Sequence, residues 1–241
     1  MPNIDEFTLK DMVEVSAALR RMGEDAASME EVTDKIVHYL HDHLIDKNTG
    51  DKACVLVRFF KTYPYSELDA GLQEFARTML SSPPESPAMK CMILLASAGT
   101  QPEWNSRKQS RGHKAIPLPS ERFVETFPMV RQLIQQMGLE INTILQPDPD
   151  VVMDMTKKTY NVFSIPEAVG SKYVPAQDDF VIPFKVRSVI GFGGILPTGN
   201  LFAIILFSKV PVPRQTADLF KSLALSVKIA ILPFVGVKLF T

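Results

Sequence analysis

Cysteine is scarce in this 241-residue chain: Cys54 and Cys91 are the two present. Both lie inside apolar runs, where a cysteine behaves as a small hydrophobe. A disulfide framework is therefore excluded, and a reducing, cytoplasmic setting is expected. No CxxC, HExxH, G-x-S-x-G or G-x-x-x-x-G-K-[ST] pattern occurs, which removes the short motifs of zinc, serine-nucleophile and P-loop chemistry. Net charge is missing as well. With 26 basic against 27 acidic residues, nothing in the overall field favours nucleic acid or an anionic membrane surface. Nor is there a long apolar run free of charge. Residues 219–240 carry Lys221, Lys228 and Lys238 with Pro233, and each lysine would cost roughly 2.5–3.5 kcal/mol at a bilayer centre. The start, MPNIDEFTLKD, lacks the basic and apolar regions of a secretory signal.

What is present is enough apolar residue, 46%, to bury a full core in one domain spanning 1–241. Leu9, Met12, Val13, Ser16 and Leu19 form a helical stripe that breaks near Gly23. Ser28-Met29-Glu30-Glu31 has capping-box spacing, and Val32, Ile36, Leu40 and Leu44 continue a second helix, closing an N-terminal helical segment over 1–46. Residues 53–60 and 90–98 read as buried strands. Between them lies an insertion, 61–89, with a capped helix around Asp69 and a proline-rich loop, SSPPESP, at 81–87. Ser120 caps a further helical stretch, and Pro128 opens a helix closed by Gly138. Residues 139–145 read as a short strand, 146–159 as a short helix, and 161–180 as an irregular loop with one helical turn. Residues 189–195 and 201–207 are strands joined by Pro197-Thr198-Gly199-Asn200. After Pro211 and Pro213, Phe220, Leu223, Val227 and Ile231 recur at the spacing of one long helix.

Two ends of the chain carry a family resemblance. LKDMVEVSAALRRMGEDAASMEEVTDKIVHYLHDHL followed by ACVLVRFF resembles the opening of a GAF domain, and the strand pair running into a long helix over 187–232 resembles its end. KCMILLASA resembles the second strand. The resemblance implies an α+β fold with a five- to six-stranded antiparallel sheet and helices on both faces. It also implies a homodimer through the terminal helices, and a non-catalytic sensory or regulatory role coupled to a signalling output protein, as in bacterial sensor modules. Members that bind cyclic nucleotides carry an Asn-Lys-…-Phe-…-Asp-Glu motif that is absent here, bilin-binding members a cysteine in the pocket half, where neither Cys54 nor Cys91 falls, and haem-binding members a pocket histidine, of which there is none after His113. The implied ligand is an unidentified small molecule held noncovalently. Two alternatives stand: a free methionine sulfoxide reductase, which uses reactive pocket thiols, and a ligand-free dimerisation scaffold.

Three groupings bear on a site. His38 and His41 lie about 60° apart on a helix, and His43 about 140° from His38, so the three do not converge on one ion and read as a solvated face; no metal site is expected. Gly191-Phe192-Gly193-Gly194 misses G-x-G-x-x-G and reads as a strand bulge, with a pocket floor as the alternative. WNSRKQSRGHK at 104–114 reads either as a solvated loop or as an anion-binding loop, with Trp104 stacking and Arg107, Arg111 and His113 meeting a charge. In the second reading the aromatic segment with Tyr160, Phe163 and Tyr173 supplies the facing wall; with Phe180 these rings read equally as the lining of an apolar pocket or as core packing without a ligand. Asp178 and Asp179 sit in an extended run and point to opposite faces.

Overall fold

Residues 197–200 turn the chain back on itself because Gly199 takes φ +71°, which glycine adopts without a Cβ penalty. The computed structural model describes residues 1–80, 84, 86–237, 239 and 240; the proline-rich loop expected at 81–87 falls largely outside them. In chain order the elements are α1 (Leu9–Arg21), α2 (Met29–His43), β1 (Cys54–Pro64), α3 (Ala70–Arg77), β2 (Lys90–Gly99), β3 (Ala115–Leu118), α4 (Glu121–Val124), α5 (Pro128–Gln136), α6 (Ile141–Leu145), α7 (Pro149–Lys157), β4 (Phe163–Ile165), β5 (Ser188–Ile195), β6 (Leu201–Ser208), α8 (Arg214–Ala217) and α9 (Leu223–Ile231). The strands form one antiparallel sheet in the order β3-β2-β1-β6-β5-β4. The fold is therefore α+β with six strands, and β5 and β6 are neighbours as their sequences predict.

Helices cover both faces, so the central strands bury both sets of alternating side chains. On one face α2 packs on β1 and β2, α9 on β5, and α1 on α9. Thr8 caps α1 by accepting from the Asp11 N–H at 3.2 Å, and Ser28 does the same for α2 from Glu31. The Glu31 carboxylate in turn accepts from the Ala27 N–H at 2.8 Å. Gly23 marks the α1–α2 turn for a steric reason: a Cβ there would lie 2.3 Å from the Ala230 carbonyl oxygen of α9. Phe220, Leu223, Val227 and Ile231 are fully buried against the sheet, each worth about 1.5–3 kcal/mol. On the opposite face the shorter helices α4 to α7 form a looser layer over β3, β4 and β5.

The structure corrects several local expectations. Residues 141–145 are helical, not a strand. Asp178 and Asp179 lie in a π-helical turn, Gln177–Val181. The C-terminal helix is broken into α8, a 3-10 segment Asp218–Ser222, and α9. The β5–β6 register runs unbroken from Ser188 to Ile195, so the glycines mark close approach and not a bulge. A Cβ on Gly193 would sit 2.0 Å from the Phe202 carbonyl oxygen, and one on Gly191 would meet Ile205 and Phe163. His41 is buried rather than on a solvated face.

Candidate functional site

The second face of the sheet holds a cavity of about 270 Å³. Its floor is sheet: Leu56, Arg58 and Phe60 of β1 alternate toward it, joined by Met92, Ile116, Ile205 and Phe207 from the flanking strands. One wall is the start of α5 with Phe127, and the other is the segment from Val174 to Phe180. Trp104 closes the end nearest β2. It can do so because Gly99 has no side chain; a Cβ there would come within 2.9 Å of the indole. Trp104 meets Phe184 edge-on at 4.6 Å and Phe180 at 5.6 Å, and Phe180 meets Phe207 at 5.1 Å. These edge-to-face contacts tie the wall to the sheet. The wall is also braced by Gln177, which donates to the Ala168 and Val174 carbonyls and accepts from the Gly170 N–H.

Arg58 and His113 are the ionisable side chains lining this apolar space. An Arg58 Nη2 donates to Ser110 Oγ at 3.2 Å, and the buried Ser110 donates on to the Gly112 carbonyl at 2.9 Å. The Arg58 Nε is buried without a hydrogen-bond partner, and among the described residues no carboxylate pairs with the guanidinium. Desolvation pushes its pKa down to about 10, which still leaves it charged at neutral pH. His113 is exposed at the mouth, in the left-handed region at φ 61°, a position where histidine is enriched among non-glycine residues. The protein packed behind its ring, and then the Arg58 charge, lower its pKa.

Of the seven residues singled out from sequence, Trp104 and His113 line the cavity. Arg107 does not. Its guanidinium grips Glu30 of α2 through both carboxylate oxygens, one at 3.1 Å, and lies 4.1 Å from the Phe240 ring. Arg111 is exposed on the loop. Tyr160 is buried and donates to the Met155 carbonyl at 2.7 Å, while Phe163 is core on β4. Tyr173 is half-buried, with Lys172 over its ring at 5.2 Å. Tyr173 is not among the lining residues, which begin at its neighbour Val174. Sequence reasoning missed Arg58 and Phe60, although a lone charge inside the apolar run ACVLVRFF was there to be read.

Other reactive groups are placed apart from the cavity. Cys54 and Cys91 are buried free thiols pushed up to about 12 by desolvation. Cys54 pairs with Ser208 and Cys91 with Tyr63, at opposite ends of β1. The Nδ1 atoms of His38 and His43 meet the carbonyls of Asp34 and Tyr39, and that of His41 meets Asp42. No group of three or more metal-binding side chains converges among the described residues, and no described helix is long and apolar enough to cross a membrane. No protein-family model matches this chain, nor does any curated protein match it in sequence.

Proposed function

We propose that this chain is a GAF-like sensory or regulatory module of a cytoplasmic signalling system, one that binds a small molecule noncovalently in the Arg58 cavity. The observation that carries the reading is the cavity itself: an apolar, aromatic-lined space with one unpaired guanidinium at its floor. That combination of apolar walls and few polar anchors typifies small-molecule sites. The strand order, with β1 and β6 central and the terminal helices gathered on the face opposite the cavity, supports the GAF resemblance. The inert, widely separated thiols weigh against the methionine sulfoxide reductase alternative, since that chemistry needs accessible thiolates close together.

The reading includes a homodimer through α1 and α9 that passes the ligand state to an output protein. Leu9 and Val13 on α1 are 65% and 61% exposed, and Leu225 and Ile229 on α9 are 58% and 42% exposed. Apolar i, i+4 pairs left open on two packed helices are the expected composition of a self-association face. A thermal-shift screen of metabolite-sized compounds tests the function. A sensor gains stability by RT ln(1 + [L]/Kd) with some compound; a flat response across the screen would favour the ligand-free scaffold.

A further inference from the structure

We infer that the cavity's occupant is a monocarboxylate with an apolar body, its carboxylate on the Arg58 guanidinium and its body against Phe60, Trp104 and Phe207. The inference rests on the small-molecule reading above and names the chemistry of the ligand.

Three features lead there. The first is charge. A guanidinium withdrawn from water is costly unless it is paired. Arg58 spends one Nη2 contact on Ser110 Oγ and leaves Nε buried without a partner among the described residues. The part of the guanidinium that lines the cavity can meet a carboxylate through a charge-assisted hydrogen bond. The second is the count of charges. His113 is the other ionisable wall residue; it is exposed at the mouth, and the protein behind its ring and the Arg58 charge both lower its pKa, favouring the uncharged ring. The site therefore offers one positive charge. A phosphate or dicarboxylate would bring a second negative charge into an apolar space with nothing to meet it.

The third is size and wall chemistry. A cavity of about 270 Å³ lies at the small end of the roughly 300–1,000 Å³ of small-molecule pockets, so the occupant is metabolite-sized. Apart from Arg58 and His113 the walls are hydrocarbon, aromatic rings and the Met92 and Met129 thioethers, which suit a ring or a short chain and not a polar body. A medium-chain fatty acid and an arylalkanoic acid share this chemistry.

The chain has one tryptophan, Trp104, and it lines the cavity, so its fluorescence reports occupancy directly. Octanoate and 3-phenylpropionate are the probes, with 1-octanol, 3-phenylpropanol and octyl phosphate as comparators; the better of the two acids distinguishes the fatty-acid from the aromatic-acid source. The acids should titrate the fluorescence saturably, with each alcohol at least about tenfold weaker and octyl phosphate weaker than octanoate. Arg58→Met should bring the acids down to the affinity of their alcohols and leave the alcohols unchanged, with circular dichroism confirming the fold. The wild-type comparison carries the test even where the variant does not fold. Equal binding of acid and alcohol would overturn the charge argument, and tighter binding of octyl phosphate would overturn the single-charge argument. If none of the five compounds binds while another compound class stabilises the protein in the thermal-shift screen, the carboxylate assignment fails and the sensor reading survives. If nothing binds in either assay, both fall.

Discussion

Replacing Lys61 with methionine should stabilise this protein, and the gain should depend on pH in a defined direction. Lys61 on β1 is 4% exposed. Its ammonium donates to the Thr62 carbonyl at 3.3 Å and lies 4.3 Å from the Tyr63 ring centre. Burial, and then the nearby Lys90 charge, push its pKa from 10.5 down to about 7, with Glu67 offsetting part of this. The depressed pKa means that the protonated form is disfavoured in the folded state. Above about pH 10.5 the amine is neutral folded and unfolded, so it costs nothing. As pH falls from 10.5 toward 7 the unfolded chain takes up a proton that the folded protein refuses, and stability declines. Below about 7 the full penalty is present. At about 1.36 kcal/mol per pH unit the gap from 10.5 to about 7 amounts to on the order of 5 kcal/mol. Methionine keeps the hydrocarbon stem and gives up one hydrogen bond and the ring contact, so a net gain of about 2–3 kcal/mol at pH 7 is expected. Urea unfolding of both proteins from pH 7 to 10 measures it. The comparison must be variant against wild type, because Cys54 and Cys91, held protonated to about 12 when folded, lower stability as pH rises past 9. The expected difference is largest at pH 7 and shrinks toward pH 10. A variant less stable than wild type at pH 7, or a difference flat across this range, would refute the reasoning.

Gly193→Ala should cost at least about 2–3 kcal/mol, because its Cβ would fall 2.0 Å from the Phe202 carbonyl oxygen of β6, a strand held on both sides; an unchanged melting temperature would contradict this. If the proposed homodimer forms, Leu225→Glu combined with Ile229→Glu should convert it to a monomer in light scattering without loss of helix signal; a persistent dimer would move the interface elsewhere, and a monomeric wild type at high concentration would remove the dimer. Arg107→Ala should lower stability by about 1–3 kcal/mol by removing the tie between the post-β2 loop and Glu30 of α2, while the Trp104 titration with octanoate stays within threefold of wild type. A lost titration would mean that Arg107 acts on the cavity after all.

Features fixed by neighbours in sequence were legible. The helix stripes of α1 and α2, the Ser28 cap, and the β5–β6 hairpin follow from spacing and turn chemistry within a few residues of one another. Strands β3 and β4 were not. Four and three residues long, they carry too little alternation to register, and each is a strand because a longer strand, β2 or β5, offers it hydrogen bonds. The same holds at 141–145, where an apolar run with no strand to pair with became helix.

The candidate site shows the same division between local and long-range information. Arg58 and Arg107 have identical chemistry, yet one faces the cavity and the other pairs with Glu30. Period-two alternation places Arg58 between Leu56 and Phe60 on one face of β1, and that much was in the sequence. Which face carries the cavity depends on where the terminal helices pack, and α9 claims the opposite one. Arg107 turns away because the loop after β2 folds back on Asn105, whose side chain bonds Gly99 at both its N–H and its carbonyl, and Gln101 at its carbonyl. That fold-back puts Trp104 and Ser110 on the cavity side and Arg107 beside α2. A cluster of cations in a loop states which chemistry is on offer; the backbone bonds within the loop decide which cation delivers it. A lone arginine among the apolar neighbours of a doubly covered strand is the more informative signal. Its Nε is enclosed without a partner and its Nη2 meets the Ser110 hydroxyl but no carboxylate among the described residues, which leaves its charge for a ligand to answer.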